Sequence, residues 1–399
     1  MNVGFYYHIE ALVDDEGVAR VPAHFGMLVS GIAERAGRVT FYGHSASGAP
    51  HADMELPPST VRFVDLGPKR SAPSRTFHPG PALEKFDPSG DGVDVMVVQG
   101  PSPLLPHLLR AARSMPGVAL IGGDYGTWSP RSSFPQWRNL LIAGWLRYYR
   151  FLQRRATEGI PVLLQNPTLV GTVGSRGPRE VVPLSSVSAR ALADVRPKER
   201  RRLEARITTR LVYAGRIVEE KGLLEAVESL RILRDRGYDV CLDLVGWEDP
   251  REPMGDRLRM RARSLGLEGR VRLLGYVPAG MPLLKAYASA DIFIIPTYGD
   301  SVPRSMQEAM AMGLPVVASS VGGIEHSLID REHALLIPPR DPHALAAAVE
   351  ELIKDERLAS HIADRGRAWA TSYTNEVSCD RIVRYLEELV RSGAPSVER

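Results

Sequence analysis

Residues 301–325, SVPRSMQEAMAMGLPVVASSVGGIE, read as a proline turn, a Met/Ala helix beginning near Arg304, a Gly-Pro break, an apolar strand and a glycine pair. A short apolar strand reached through a helix and a tight break is the repeating step of a parallel α/β sheet. Working outward, the same step recurs. Apolar runs at 210–214, 240–245, 271–274 and 291–296 precede it, and runs at 315–318 and 334–337 follow the break, each with a helix or turn after it. Near-continuous Val/Ile/Leu strands separated by helices predict a sheet covered on both faces.

The first half alternates in the same way but less regularly. Strands are expected at 3–7, 39–42, 93–98, 118–121 and 162–164, with helices at 24–36 and 104–114. Residues 46–91, rich in Pro, Ser, Gly and His, are expected to be a loop-heavy excursion in which a strand is placed at 61–64 and no other strand is assigned. After 181–183 comes SSVSARALADVRPKERRRLEARITT, polar and basic between two apolar strands. The domain junction is placed there, giving an N-terminal domain at 1–196 and a second domain at 197–375. A final helix from 376, with apolar residues at helical spacing, is expected to cross back to the first domain.

The chain has 399 residues, 50 Lys and Arg against 47 Asp and Glu, and a formal net charge of +3. That balance gives no support to a nucleic-acid partner. The two cysteines, Cys241 and Cys379, make neither a disulfide framework nor a closed cysteine-zinc site, which fits a reducing cytoplasm. Nowhere do about 18 apolar residues run together, so no membrane-spanning helix is expected.

In YAGRIVEEKG, 213–222, a strand end leads through Gly215 and Arg216 to Lys221 at a helix start. Ligands of open α/β sheets sit at the carboxyl ends of strands, where helix N-termini favour anions. Two cations there suit a diphosphate; pairing with Glu219 and Glu220 is the competing reading. No P-loop and no GxGxxG fingerprint occurs. Asp300, in the loop after a strand, and Glu308, in the following helix, could face one elongated ligand about 10 Å apart, given a rise of about 1.5 Å per residue. Carboxylates so placed accept hydrogen bonds from vicinal hydroxyls, as in dinucleotide sites. Alternatively, Asp300 favours a helix dipole and Glu308 turns outward.

In LIGGDYGTW, 120–128, Asp124 follows a strand end on the ligand side of such a sheet, although Asp is also a common turn residue. Residues 134–155, FPQWRNLLIAGWLRYYRFLQRR, interleave aromatics with five arginines. Such a helix suits peripheral contact with an anionic membrane surface; a domain helix with its aromatics in the core is the alternative.

Residues 213–222 and 300–325, then HALLIPPRDPHALAAAVEELIKDERL at 333–358, resemble in order the retaining GT-B glycosyltransferases of family 4. The likeness covers nearly all of the second half and only the general layout of the first. It implies an α/β fold of two Rossmann-like parallel-sheet domains facing a cleft, with the acceptor on the first and the nucleotide-sugar donor on the second. By the resemblance, Arg216 and Lys221 bind the donor diphosphate, Glu308 the nucleotide ribose and Asp300 the donor sugar. Asp300 departs from the glutamate usual there, which shortens its reach by one methylene. The backbone amides of Arg304 and Ser305 would meet the diphosphate, and the segment around Val277 would line the base pocket with backbone groups. Gly17 is the only glycine where the family has a glycine-rich loop, and Asp124 or Tyr125 stands at the place of a usual histidine, hence a catalytic-side role for Asp124.

The activity implied is transfer of a sugar from a nucleotide-sugar, a UDP-sugar favoured, to a hydroxyl of a sugar, lipid-linked or small-molecule acceptor, with retention. Polysaccharide, glycolipid or glycosylated natural-product synthesis in bacteria would use it. No cofactor or metal is expected, because Arg216 and Lys221 supply the positive charge. The location expected is the cytoplasm or the inner face of its membrane. A sugar-nucleotide epimerase, a phosphorylase and a non-catalytic nucleotide-sugar or glycan binder are the alternatives.

Overall fold

The computed structural model describes residues 1–46, 48, 51–124, 135–194, 208–248 and 253–392. The chain divides into two compact units, residues 1–184 with 375–399, and 185–374. The junction expected at 196/197 lies outside the described residues, and the division falls earlier, at 184/185.

In the first unit, β1 (Asn2–Val13), β3 (Arg38–Ser45), β5 (Val61–Asp65), β6 (Val95–Gly100), β7 (Gly117–Ile121), β8 (Val162–Leu164) and β9 (Arg179–Val181) form one parallel sheet. Its order is β5-β3-β1-β6-β7-β8-β9. Every residue of β6 and of β8 is buried, as a sheet covered on both faces requires. The helix Asn375–Arg391 belongs to this unit: Asn375 Nδ2 donates to the Met27 carbonyl at 3.1 Å, and Cys379 packs against Gly31 of the helix Ala23–Ala36.

Two expectations for this unit are corrected. The loop foreseen after the first strand is largely strand. β1 runs on to Val13 and folds back on β2 (Ala19–Val21), with Leu12 opposite Arg20, and β2 pairs with β4 (Met54–Glu55). The aromatic and β-branched run FYYHI favours extended backbone, and the continuation costs one register shift between Tyr6 and Glu10 against β3. Gly17 therefore sits exposed in the turn of a hairpin, its N–H on the Asp14 carbonyl at 3.0 Å. The excursion at 46–91 also holds two short helices, Ala72–Phe77 and Gly80–Leu83.

In the second unit, β10 (Thr209–Ala214), β11 (Val240–Val245), β12 (Val271–Gly275), β13 (Ile292–Ile295), β14 (Val316–Ser319) and β15 (Leu335–Ile337) are all parallel. Their order, β12-β11-β10-β13-β14-β15, is the doubly wound arrangement, with its reversal between β10 and β13. β11, β13 and β14 are buried throughout.

Candidate functional site

Connections leave β10 and β13 in opposite directions, so the crevice of the second sheet opens between their carboxyl ends. The segments expected to carry chemistry are there. After β10 the chain passes Gly215 and Arg216, makes a turn of 3-10 helix at Glu219–Lys221 and enters the helix Leu223–Asp235 at Gly222. Gly222 has φ +66°, and a Cβ on it would lie 1.9 Å from the Pro296 carbonyl oxygen at the end of β13. Only glycine allows that approach. The Glu220 carbonyl accepts from Tyr298 N at 2.9 Å and from Thr297 Oγ1 at 3.1 Å, tying the two loops together.

This fastening brings Lys221 and Asp300, 79 residues apart, into a direct ion pair. Both are largely buried, Lys221 at 9% exposure. Asp300 is held in turn. Its Oδ1 accepts from Ser301 N at 3.1 Å, and its carbonyl accepts from Gly323 N at 3.0 Å. At Gly322, with φ +52°, a Cβ would lie 2.3 Å from that carbonyl, so the glycine pair serves this close approach. Arg216 stays half-exposed, pairs with Glu220 at 3.3 Å, and its carbonyl accepts from Tyr213 Oη at 2.9 Å. Gly215 N donates to the Val245 carbonyl of the neighbouring strand at 2.9 Å.

Glu308 lies in the helix Arg304–Ala311 and is 5% exposed. The outward-facing alternative is thereby excluded. Its Oε1 accepts from Ser186 Oγ at 2.5 Å and its Oε2 from Tyr287 Oη at 2.9 Å. Burial raises the carboxyl pKa above the usual glutamate value, against the two hydrogen bonds that lower it. A carboxylate has about four acceptor sites, so two remain for a ligand. Next to it, Gln307 is buried with neither amide atom partnered. Arg304 and Ser305 occupy the first turn of this helix, where backbone N–H groups lack intrahelical acceptors. Val277, half-buried beyond β12, packs against the core of the unit.

In the first unit, Asp124 follows β7 and faces Arg150 at 3.4 Å, so two features read separately in the sequence meet. Tyr125 lies outside the described residues. Arg150 belongs to the helix Gln136–Ala156, which divides its aromatics. Tyr149 is buried, its hydroxyl accepting from Ser102 N at 2.8 Å, and Trp145 Nε1 donates to Thr76 Oγ1 at 3.2 Å. Trp137, Leu140, Leu141 and Phe151 are each more than half exposed. No helix among the described residues is long and apolar enough to cross a membrane.

Local sequence missed Ser186 and Tyr287, the two donors that position Glu308. Ser186 lies 122 residues away in the polar stretch read as a linker, and only its hydroxyl hinted at a role.

Residues 208–355 match the model of the family Glycosyl transferases group 1. The chain is 30% identical over 184 residues to the D-inositol 3-phosphate glycosyltransferase of Corynebacterium glutamicum (strain R), a match covering 44% of each protein. It is 28% identical over 271 residues to the lipopolysaccharide core biosynthesis glycosyltransferase LpsE of Rhizobium meliloti (strain 1021), covering 66% of this chain and 74% of that one. The chain thus spans less than half of the first relative. Among solved structures, Anabaena Alr3699/HepE in complex with UDP superposes with a TM-score of 0.67 at 18% identity, over 97% of this chain and 100% of that one. The fold is GT-B, and the match to the group 1 glycosyltransferase model lies within the second unit.

Proposed function

We propose that the chain transfers a sugar from a nucleoside diphosphate sugar to an acceptor hydroxyl with retention of configuration. The observation that carries this is the buried Lys221 beside Asp300 at the reversal point of the group 1 domain. The bond from the anomeric carbon to the diphosphate breaks and a bond to the acceptor oxygen forms on the same face. The acceptor proton passes to a diphosphate oxygen, so no side-chain base is assigned. Lys221 and Arg216 hold the charge that grows on the leaving diphosphate. Arg304 and Ser305 offer backbone N–H groups to it, and Gly215 lets the backbone approach. Glu308 holds the ribose, Asp300 the sugar, and backbone groups near Val277 the base. Asp124 takes the catalytic-side place of the histidine that the family sets near the donor sugar. A UDP-sugar is favoured, since the Anabaena protein has also been solved with UDP-glucose.

No metal is required, because two cations already stand at the leaving group. Incubation with UDP-, GDP- and dTDP-sugars in excess chelator should give acceptor-dependent release of nucleoside diphosphate. Isomerised donor without acceptor identifies an epimerase, phosphate acting as acceptor identifies a phosphorylase, and binding without turnover identifies a binder. Activity abolished by chelator and restored by magnesium or manganese contradicts metal independence.

The helix Gln136–Ala156 carries five arginines, no acidic residue and an exposed apolar row, charge and shape that suit an anionic lipid surface. We place it there, at the inner face of the membrane, where a lipid-linked acceptor lies. Flotation with vesicles containing phosphatidylglycerol should carry the protein up at low salt. Trp137→Ala combined with Leu140→Ser and Phe151→Ser should leave it at the bottom; flotation equal to the wild type refutes the placement.

A further inference from the structure

The carboxyl ends of the first unit's strands border a cavity of about 110 Å³ lined by His44, Gly67, Arg70, Arg75, His78 and Lys85, among others. A single water needs roughly 10–15 Å³ of such space, so a tetrahedral oxyanion fits with room for part of the group it esterifies. His44 is the last residue but one of β3, Gly67 follows β5, and Arg75 is in the short helix Ala72–Phe77. The loops after β3 and β5 thus form the cavity on the ligand side of the sheet.

Arg75 decides its chemistry. The residue is 8% exposed, and neither its Nε nor its Nη1 has a hydrogen-bond partner. A buried guanidinium with unmet donors is costly, and an anion in the cavity would meet one of them with a charge-assisted hydrogen bond. The nearby acids are occupied elsewhere. Asp65 accepts from Ser45 N, Ser45 Oγ and Gly67 N at 2.7–2.9 Å, and Glu10 faces Lys69 at 3.5 Å. His44 Nδ1 donates to the Gly67 carbonyl at 2.9 Å, and its Nε2 is buried without a partner. Burial lowers the pKa of His44 and of Lys69, with Arg75 adding to the effect in each. Exposed Arg70 and Lys85 continue that charge to the rim.

We propose that this cavity, with Arg75 at its base and Lys85 and Arg70 at its rim, binds a phosphate monoester carried by the acceptor. The proposal rests on the glycosyltransferase reading and narrows its acceptor to a phosphorylated one. Soluble phosphomonoesters and phosphate headgroups of lipids share this chemistry.

The test is calorimetric titration of the full chain with inorganic phosphate at fixed ionic strength, with and without saturating UDP. Wild-type protein should bind phosphate saturably in both conditions. Arg75→Gln should weaken it about tenfold or more, the effect of losing a hydrogen bond to a charged partner. Lys85→Ala and Arg70→Ala, at exposed positions, keep the test sound if Arg75→Gln fails to fold, and each should weaken phosphate several-fold. Unchanged UDP affinity in these variants separates this site from the donor site. If UDP does not bind while phosphate does, the donor assignment fails and the cavity stands. Glycerol 3-phosphate and vesicles of phosphatidic acid in phosphatidylcholine then distinguish the sources: Arg75-dependent binding of the first alone marks a soluble acceptor, and of the second a lipid-linked one. No saturable phosphate binding, binding abolished by UDP, or wild-type affinity in all folded variants overturns the proposal.

Discussion

Lys221→Ala is expected to lower turnover by about 100-fold or more, the usual cost of removing one electrostatic contact to a developing charge. The ion pair with Asp300 complicates the variant in a useful way. Without Lys221, a mostly buried carboxylate loses its counter-charge, and stability should fall by up to about 3 kcal/mol, discounted for the partial exposure of both groups. Combining Lys221→Ala with Asp300→Asn removes the orphaned charge, so stability should recover while turnover does not. Chemical denaturation and steady-state rates on the single and double variants separate the two effects. If turnover recovers along with stability, Lys221 is a structural lysine and its assignment to the leaving diphosphate is wrong. Arg216→Ala provides the contrast: its half-exposed pair with Glu220 is worth little to stability, so nearly all of its effect should appear in the rate.

The strands of the second unit were legible because a parallel sheet buried on both faces writes itself as unbroken apolar runs, and 240–245 coincides with β11 to the residue. The carboxylate at Glu308 stood out for the same reason, a charge inside a stretch otherwise built for burial. Its partners did not, because Ser186 and Tyr287 reach it through the tertiary fold and their local sequence carries no trace of the contact. The Lys221–Asp300 pair was hidden likewise: each residue was assigned a ligand, and neither segment reveals that the two loops are fastened through the Glu220 carbonyl. In the first unit the failure was of another kind. FYYHIEALV has no breaker, and the loop was placed there by likeness to the family where strand propensity favoured an extended chain. Arg75 escaped notice because it lies in a Pro- and Ser-rich excursion, where a single arginine reads as surface; only its burial with two donors unmet marks it.

The acid pair gives the second large effect, and the ion pair changes what should be measured. If Glu308 holds the ribose, Glu308→Ala should weaken both bare UDP and the intact donor by about tenfold or more, since a hydrogen bond to a charged partner is worth roughly 1.5–3 kcal/mol. Glu308→Gln is the fold control. It keeps the shape and an acceptor for Ser186 or Tyr287, and it removes the carboxylate whose raised pKa marks the strain of burying a charge. Loss of UDP binding in a Gln variant as stable as the wild type therefore belongs to the ligand and not to the core. Asp300 should behave in the opposite sense toward the two ligands. In the free chain it occupies Lys221, so Asp300→Ala releases that cation, and bare UDP should bind as well as before or several-fold more tightly. The intact donor should bind about tenfold more weakly, because the sugar hydroxyls lose their acceptor. Calorimetry with both ligands on the three variants decides it. Should Asp300→Ala weaken bare UDP as much as Glu308→Ala does, the two acids do not divide the donor between ribose and sugar, and Asp300 acts only by holding Lys221 in place.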